Sequence, residues 1–549
     1  MRFGALRATT AAFAALAWAG PAFAQAALVE PLPPVAEAPA PAISVGPAIS
    51  GEPLLSGPPA LAAPSALLAA RQAEAPTPAQ APSDTNPDDV QNAPGADDGY
   101  QPLDLYETML READSELPGV GPVPLADYAP RGYEAREFQD APGAPEFVRI
   151  SPPVRVTAEE REKFVVRGIM PGSFLVPGTN TSFRLRGFVR LTGLYDFDPI
   201  GSRDDFVTNT IPVPQQVGQN QNFSARYSRF ALETWTPTNV KDWNVHTFIE
   251  GDFFNGPNQA VGGGGNPFRL RFAFVDFGYF RFGQQNTVFM DGNAWPSTVD
   301  FAGPRGLVNQ RRPSARMTLP LGCHGWFWAA GVEGPFSDIT TNGQGTPVQD
   351  IPDAATHIRY EGDLGHIQIS GVARSIGYRP SFGAVTRRSG WGVSGSTVFH
   401  PWAMFLGTNP VRDENPDGLT RSRILAQYTC GWGIGRYIQD TAALGLDGQV
   451  DPLTGNFSTL YTAGWSTSYE HWFDDKWLWN TTYSEDFVGA NGGQASSTYH
   501  GAKYLASSVW YIPVRNMSLG VEYVWGQRAN IDLQSARADR VNALFQYNF

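Results

Sequence analysis

The chain has 549 residues and a net charge of −13, and 42% of its residues are hydrophobic. The acidity is uneven: residues 25–180 hold 22 Asp/Glu against 9 Lys/Arg, whereas residues 181–549 hold 31 against 29. Neither part carries the basic stripe that grips a phosphate backbone, so nucleic acid is excluded as a partner.

The start, "MRFGALRATTAAFAALAWAGPAFAQ", places Arg2 and Arg7 before an apolar run and ends it in Ala22-Phe23-Ala24. That order reads as a signal peptide over residues 1–24, marking an exported protein. Residues 25–100 are dominated by Ala and Pro. Proline fixes φ and removes a donor, so neither helix nor ladder runs through such a stretch, and a disordered, acidic linker is expected. Residues 101–170 read as a periplasmic spacer with short helices at "LDLYETMLREADSEL" and "TAEEREKF"; in the second, Thr157 precedes Glu160 at capping-box spacing.

From about residue 171 the chain reads as all-β. "SFRLRGFVRLTGLYDF" puts Phe183, Leu185, Val189, Leu191 and Tyr195 on one parity and Arg184, Arg186 and Arg190 on the other. Period-two alternation sends these sets to opposite faces. Three arginines on one face require water, because unpaired buried charge is costly. The other face requires an apolar medium.

The pattern recurs. "WNVHTFIEGDFF" sets Val245, Thr247 and Ile249 against His246, Glu250 and Asp252; "FRLRFAF" sets Leu270 and Phe272 against Arg269 and Arg271; "MSLGVEYVW" sets Leu519, Val521 and Tyr523 against Ser518 and Glu522. In "NQRRPSARMTLPLG", Arg312, Ser314, Arg316 and Thr318 share a parity. The last ten residues, "RVNALFQYNF", alternate to Phe549. Strands of about ten residues with connections, at roughly 23 residues each, predict about 16 strands of a transmembrane antiparallel β-barrel over 171–549. Tyr and Trp near strand ends predict girdles at the lipid boundaries. A secreted sandwich or propeller also alternates, but the number of alternating strands and the lack of a blade period disfavour both.

Five blocks carry a family resemblance: "IMPGSFLVPGTNTSFRLRGFVRLTGLYDF" (169–197), "RDDFVTNTIPV" (203–213), "ARYSRFALET" (225–234), "FIEGDFF" (248–254) and "GIGRYI" (433–438), with the loop "FMDGNAWPSTVDFAGPRG" (289–306). In that order they resemble the DcaP-like porins. The resemblance implies a trimer of 16-stranded barrels in the outer membrane, loops folded into the lumen, and uptake of small anionic solutes, dicarboxylates among them. It also points to 284–310 as the constriction. The family often carries a coiled-coil-like helix before the barrel; here that stretch is Pro/Ala-rich and has no heptad run.

A porin does no chemistry, and its working surface is the polar parity of each strand. Arg184, Arg186, Arg190, Arg229, Arg269, Arg271, Arg312 and Arg316 are therefore the expected pore-lining cations, with Glu250 and Asp252 among the lumenal carboxylates. Guanidinium groups lower the barrier for an anion and grip carboxylates bidentately. They also pair with wall carboxylates such as Glu233, which would leave them structural. No cofactor and no metal is expected: the seven histidines are scattered, and HExxH, GxSxG and CxxC do not occur. His246, His357 and His471 read as wall histidines, and Cys323 and Cys430 as unpaired strand residues. Two other readings stand beside the porin: a barrel anchoring the envelope through cell-wall contact of its N-terminal arm, and an outer-membrane hydrolase.

Overall fold

The computed structural model describes residues 166–169, 172–240, 243–254, 267–321, 325–410, 418–514 and 516–549. The signal peptide, the Pro/Ala linker, nearly all of the spacer with both short helices, and Cys323 lie outside them.

Sixteen antiparallel strands close on themselves. β1 spans Ser182–Asp196, and β2 is broken into Asn220–Ser224 and Arg229–Pro237. There follow β3 Asn244–Asp252, β4 Arg269–Phe277, β5 Phe280–Asn286, β6 Arg311–Pro320, β7 Trp326–Glu333 and β8 Asp353–Gly362. The second half is β9 Gly365–Pro380, β10 Thr386–Phe399, β11 Arg423–Trp432, β12 Tyr461–Trp472, β13 Trp477–Val488, β14 Tyr499–Val514, β15 Met517–Asn530 and β16 Ser535–Asn548. Each strand pairs with its sequence neighbours, and β16 pairs with β1 from Arg540↔Asp196 to Asn548↔Phe188. The seam ends at Phe549, whose N–H and C=O both bond Gly187 (2.9 and 3.1 Å). A Cβ on Gly187 would lie 2.2 Å from the Arg229 carbonyl, so only glycine lets β2 approach there.

The alternation sorts as the sequence requires. Leu185, Val189, Leu191, Ile249, Val521, Phe545 and Tyr547 are exposed on the outer wall, while Arg190, Glu250, Asp252, Arg312, Arg316 and Arg540 are buried inside. Outward aromatics gather at both rims. At one, Trp391, Trp432, Tyr461 and Phe487 form a chain across β10–β13 with centroids 4.9–6.4 Å apart. At the other, Trp326 meets Tyr360 at 5.0 Å and Trp477 meets Tyr511 at 4.6 Å. These are the interfacial girdles of a membrane barrel.

The ladder register shifts at β3–β4 and at two places in β14–β15. A β-bulge between Glu250 and Gly251 shifts the β3–β4 register, so Arg271 has no partner of its own while Glu250 faces Phe272. Leu270 points out, but Phe272 is fully buried inside, against the expectation that the two share the lipid face. An extra residue on one strand reverses parity beyond it.

Connections at the end holding Ser182 and Asn548 are short, for example 278–279, 363–364 and 515–516, with one exception at 400–422. Those at the other end include 197–219 (loop L1), 287–310 (loop L3) and 433–460 (loop L6). Short turns face the periplasm and long loops the exterior, which orients the barrel.

Candidate functional site in the lumen

All ten sequence-predicted pore-lining residues turn inward, in two groups. The first lies on β1–β4. Arg184 donates Nε and Nη2 to Glu233 Oε2 (3.0 and 2.5 Å), and Arg186 Nε lies 3.5 Å from the same oxygen. Arg271 Nε bonds Glu250 Oε1 at 2.7 Å, and Arg229 approaches that oxygen at 3.5 Å. Asp252 takes a bidentate pair from Arg269 (2.9 and 2.6 Å) and a third bond from Arg271 (3.3 Å). Arg190 donates to the Val299 carbonyl at 2.5 Å. The second group is on β6. Arg312 Nη1 bonds Asp353 Oδ2 (2.5 Å) and the Tyr437 hydroxyl (3.3 Å), while Arg316 Nε reaches Thr318 (3.1 Å).

These arginines differ in access. Arg190, Arg229, Arg271, Arg312 and Arg316 are buried. Arg184, Arg186 and Arg269 keep 15%, 22% and 32% of their side chains exposed. Only those three, of the eight, hold both a positive charge and contact with lumenal water.

Rings interleave with the cations on the same wall. Phe254, Tyr227 and Phe301 stack in sequence, with centroids 4.7 and 4.0 Å apart. Arg226 and Arg269 lie over Phe254 at 4.3 and 5.1 Å, Arg190 and Arg229 over Phe301 at 4.7 and 4.5 Å, Arg186 over Phe248 at 5.2 Å, and Arg281 over Phe274 at 3.8 Å. Cation–π contact holds the guanidinium planes where carboxylates alone would leave them free to swing.

Loop L3 runs across the inside of the barrel, bound to the wall by carboxylates. Glu333 on β7 accepts from Val288 N (2.8 Å) and Thr287 Oγ1 (2.7 Å). Asp291 accepts from Arg359 on β8 (3.0 Å) and Ser396 on β10 (2.6 Å) and meets His366 on β9 (2.7 Å). Glu470 on β12 takes Ser297 N at 2.7 Å, and Glu522 on β15 takes Val299 N and Asp300 N at 2.8 and 2.5 Å. The bonds to Val288 N, Ser297 N, Val299 N and Asp300 N satisfy backbone groups that have no ladder partner. Gly306 lies so close to β12 and β13 that a Cβ would sit 2.4 Å from the Glu485 carbonyl.

The returning arm of L3 meets L1 and L6. Arg305 Nε donates to the Phe206 carbonyl at 2.6 Å. Against the pull of burial, the carboxylates of Asp300, Asp205 and Asp440 hold that guanidinium the more firmly charged. Burial also pushes Asp205 up to about 7, opposed by Arg305 and reinforced by Asp300 and Asp204. The lumen thus carries a basic wall on β1–β4 and an acidic cluster on its infolded loops.

The histidines and the cysteine take structural positions. His246 bridges Glu233 (2.9 Å) and Asp276 (2.8 Å), His357 meets the Val288 carbonyl (2.8 Å), and His471 faces outward with the Tyr469 hydroxyl at 2.9 Å. Cys430 is free.

A closed wall with lipid outside and fixed charge inside, narrowed by a loop anchored to the strands, is the working design of one class, the outer-membrane porins. The sequence agrees with the fold: residues 170–299, from before β1 into L3, match the family described as Porin subfamily. None of the curated proteins matches the chain. Among solved structures, the outer membrane channel DcaP of Acinetobacter baumannii superimposes with a TM-score of 0.57 at 20% identity, covering 69% of this chain and 100% of that one. An anion-selective porin from Comamonas acidovorans reaches 0.44 at 9% identity, covering 67% and 100%, and OmpT of Vibrio cholerae 0.41 at 11%, covering 68% and 100%.

Proposed function

We propose that this porin is a passive diffusion channel for small hydrophilic solutes that favours anions, dicarboxylates among them, and that it works as a homotrimer with its N-terminal arm in the periplasm. The observation that carries the anion preference is the charge of the β1–β4 wall. Five of its inward arginines, at 184, 186, 229, 269 and 271, share three carboxylates, Glu233, Glu250 and Asp252, while Arg190 is held by the Val299 carbonyl and the wall's other acids, Asp196 and Asp276, pair with Arg540 and Arg281 of neighbouring strands. Glu250 is held by the buried Arg229 and Arg271, Arg184 and Arg186 share the single carboxylate of Glu233, and Asp252 is divided between Arg269 and Arg271, so the surplus charge reaches water at Arg184, Arg186 and Arg269. A solute carboxylate meets these heads in turn and is held weakly at each, which permits release. A solute with two carboxylates has the further option of engaging two heads at once.

Reconstitution of the purified protein in planar bilayers under a salt gradient tests this reading. Stepwise conductance with a reversal potential on the anion side is expected. Channels that favour cations would overturn the anion preference, and silence from folded protein would support the envelope-anchor alternative instead.

A further inference from the structure

Among the periplasmic connections, that between β10 and β11 stands apart. The others are two to six residues long; this one occupies 400–422 and contains a short helix, Pro401–Leu406. Proline at its first turn starts the helix, and Gly407 at φ 68° ends it. Its six residues are Pro-Trp-Ala-Met-Phe-Leu. Ala403 is buried against the barrel, while Trp402, Met404, Phe405 and Leu406 are 38–74% exposed. Four large apolar side chains facing water on one turn-and-a-half of helix would be a patch without a purpose.

Its position says what covers it. Trp402 donates its indole N–H to the Tyr469 hydroxyl at 2.9 Å. Tyr469 lies on the outward parity of β12, three residues before the strand's periplasmic end, and its ring contacts Trp479 of β13 at 6.2 Å. The helix therefore sits on the lipid side of the wall, level with the aromatic girdle, and its apolar face continues the surface that the strands present to the bilayer.

We infer that helix Pro401–Leu406 lies in the periplasmic leaflet of the outer membrane, with Met404, Phe405 and Leu406 among the phospholipid chains and Trp402 at the headgroup boundary. A short helix with no polar side chain gains free energy by moving its exposed apolar groups from water into the acyl region, with an indole left at the headgroup boundary. The barrel holds it there through the Trp402–Tyr469 bond. The result is an interfacial foot that fixes the depth and tilt of the periplasmic rim beside β10–β12.

A nitroxide at position 405 tests the assignment. Full-length Phe405→Cys, in a Cys323→Ser, Cys430→Ser background, is reconstituted in phospholipid vesicles, and collision with oxygen is compared with collision with a water-soluble nickel complex. Two reference labels bracket the scale: Ile369→Cys on the lipid-facing wall of β9, and Phe382→Cys in the exposed 381–385 loop. The label at 405 is expected to favour oxygen severalfold over nickel, as at 369. A ratio matching that at 382 places the helix in water and overturns the inference. Low collision with both reagents together with dipolar broadening shows that a second copy of the chain covers the patch, which also overturns it. Should Phe405→Cys fail to give folded barrel, Leu406→Cys carries the label one residue on, with the same expectations.

Discussion

On β1–β4 the inward side chains are arginines, carboxylates and rings, whereas on β10–β13 they are Ser394, Ser396, Gln427, Thr429, Ser466, Ser468, Asn480, Thr482 and Ser484. Both walls must satisfy polar groups away from bulk water, and they do it differently. The β1–β4 wall pairs its acids laterally: Glu233, Glu250 and Asp252 each take two arginines from neighbouring strands. The opposite wall is mostly small hydroxyl and amide groups; its acid Glu470 reaches for the backbone of L3, as Glu522 does from β15, and its acid Asp486 accepts from Tyr499. One wall is therefore a charged surface that L3 touches only at Val299 and Phe301, and the other is part of the bed on which that loop is laid. Electrostatic selection belongs to the first and the width of the passage to the second.

The comparison can be broken at its base by opening the barrel seam. Gly187→Val places side-chain carbon where the Arg229 carbonyl lies, and at the same residue it disturbs the pairing with Phe549. Loss of the closed barrel is expected, read as loss of the heat-modifiable band on electrophoresis. Normal migration would show that the seam tolerates a wider spacing. Loosening the loop bed is the next largest effect. Glu522→Ala leaves the amides of Val299 and Asp300 without acceptors, at about 1–3 kcal/mol for each buried group. The variant should melt earlier and show noisier, larger single-channel steps while keeping its ion preference. Unchanged steps would mean that L3 is held elsewhere.

The smallest effect concerns the acidic cluster. With its proton Asp205 is neutral, and ionisation through about pH 7 adds a negative charge near Arg305 and Arg269. The anion preference of the native protein should therefore weaken as pH rises through 7, and Asp205→Asn should flatten the dependence. Stability follows the same sign: the folded carboxyl holds its proton more tightly than an ordinary aspartate, so its contribution is greatest at low pH and is lost as pH climbs through 7. A reversal potential that ignores pH in the native protein would remove Asp205 from the conduction path.

Much of the architecture is legible in the residue order, because a strand between lipid and water must alternate at every step. "RVNALFQYNF" alternates into the β16 seam, and Arg312, Ser314, Arg316 and Thr318 share the inward face that their spacing requires. Phe272 is not legible, since the bulge that turns it inward depends on how β3 and β4 pair. Nor is the division of the arginines: Arg186 and Arg190 lie four residues apart on one face, yet only Arg186 keeps solvent access, because Arg190 is capped by L3 at Val299 and Phe301. The carboxylates that hold L3 escape notice for a related reason. Glu333, Glu470 and Glu522 are visible as acids on the polar parity, but their partners are mostly backbone amides, which leave no mark in a sequence.

The claim that the exposed arginines of β1–β4 select the permeant is tested by the reversal potential of Arg184→Ala, Arg186→Ala, Arg269→Ala combined, set beside Arg312→Ala. The combined variant should move toward cations with its step conductance retained. Arg312→Ala should keep the native potential and lose about 1–3 kcal/mol of stability, because Asp353 loses one of its two arginine partners and keeps Arg374. A native potential in the combined variant, or a larger shift from Arg312→Ala, would contradict the account.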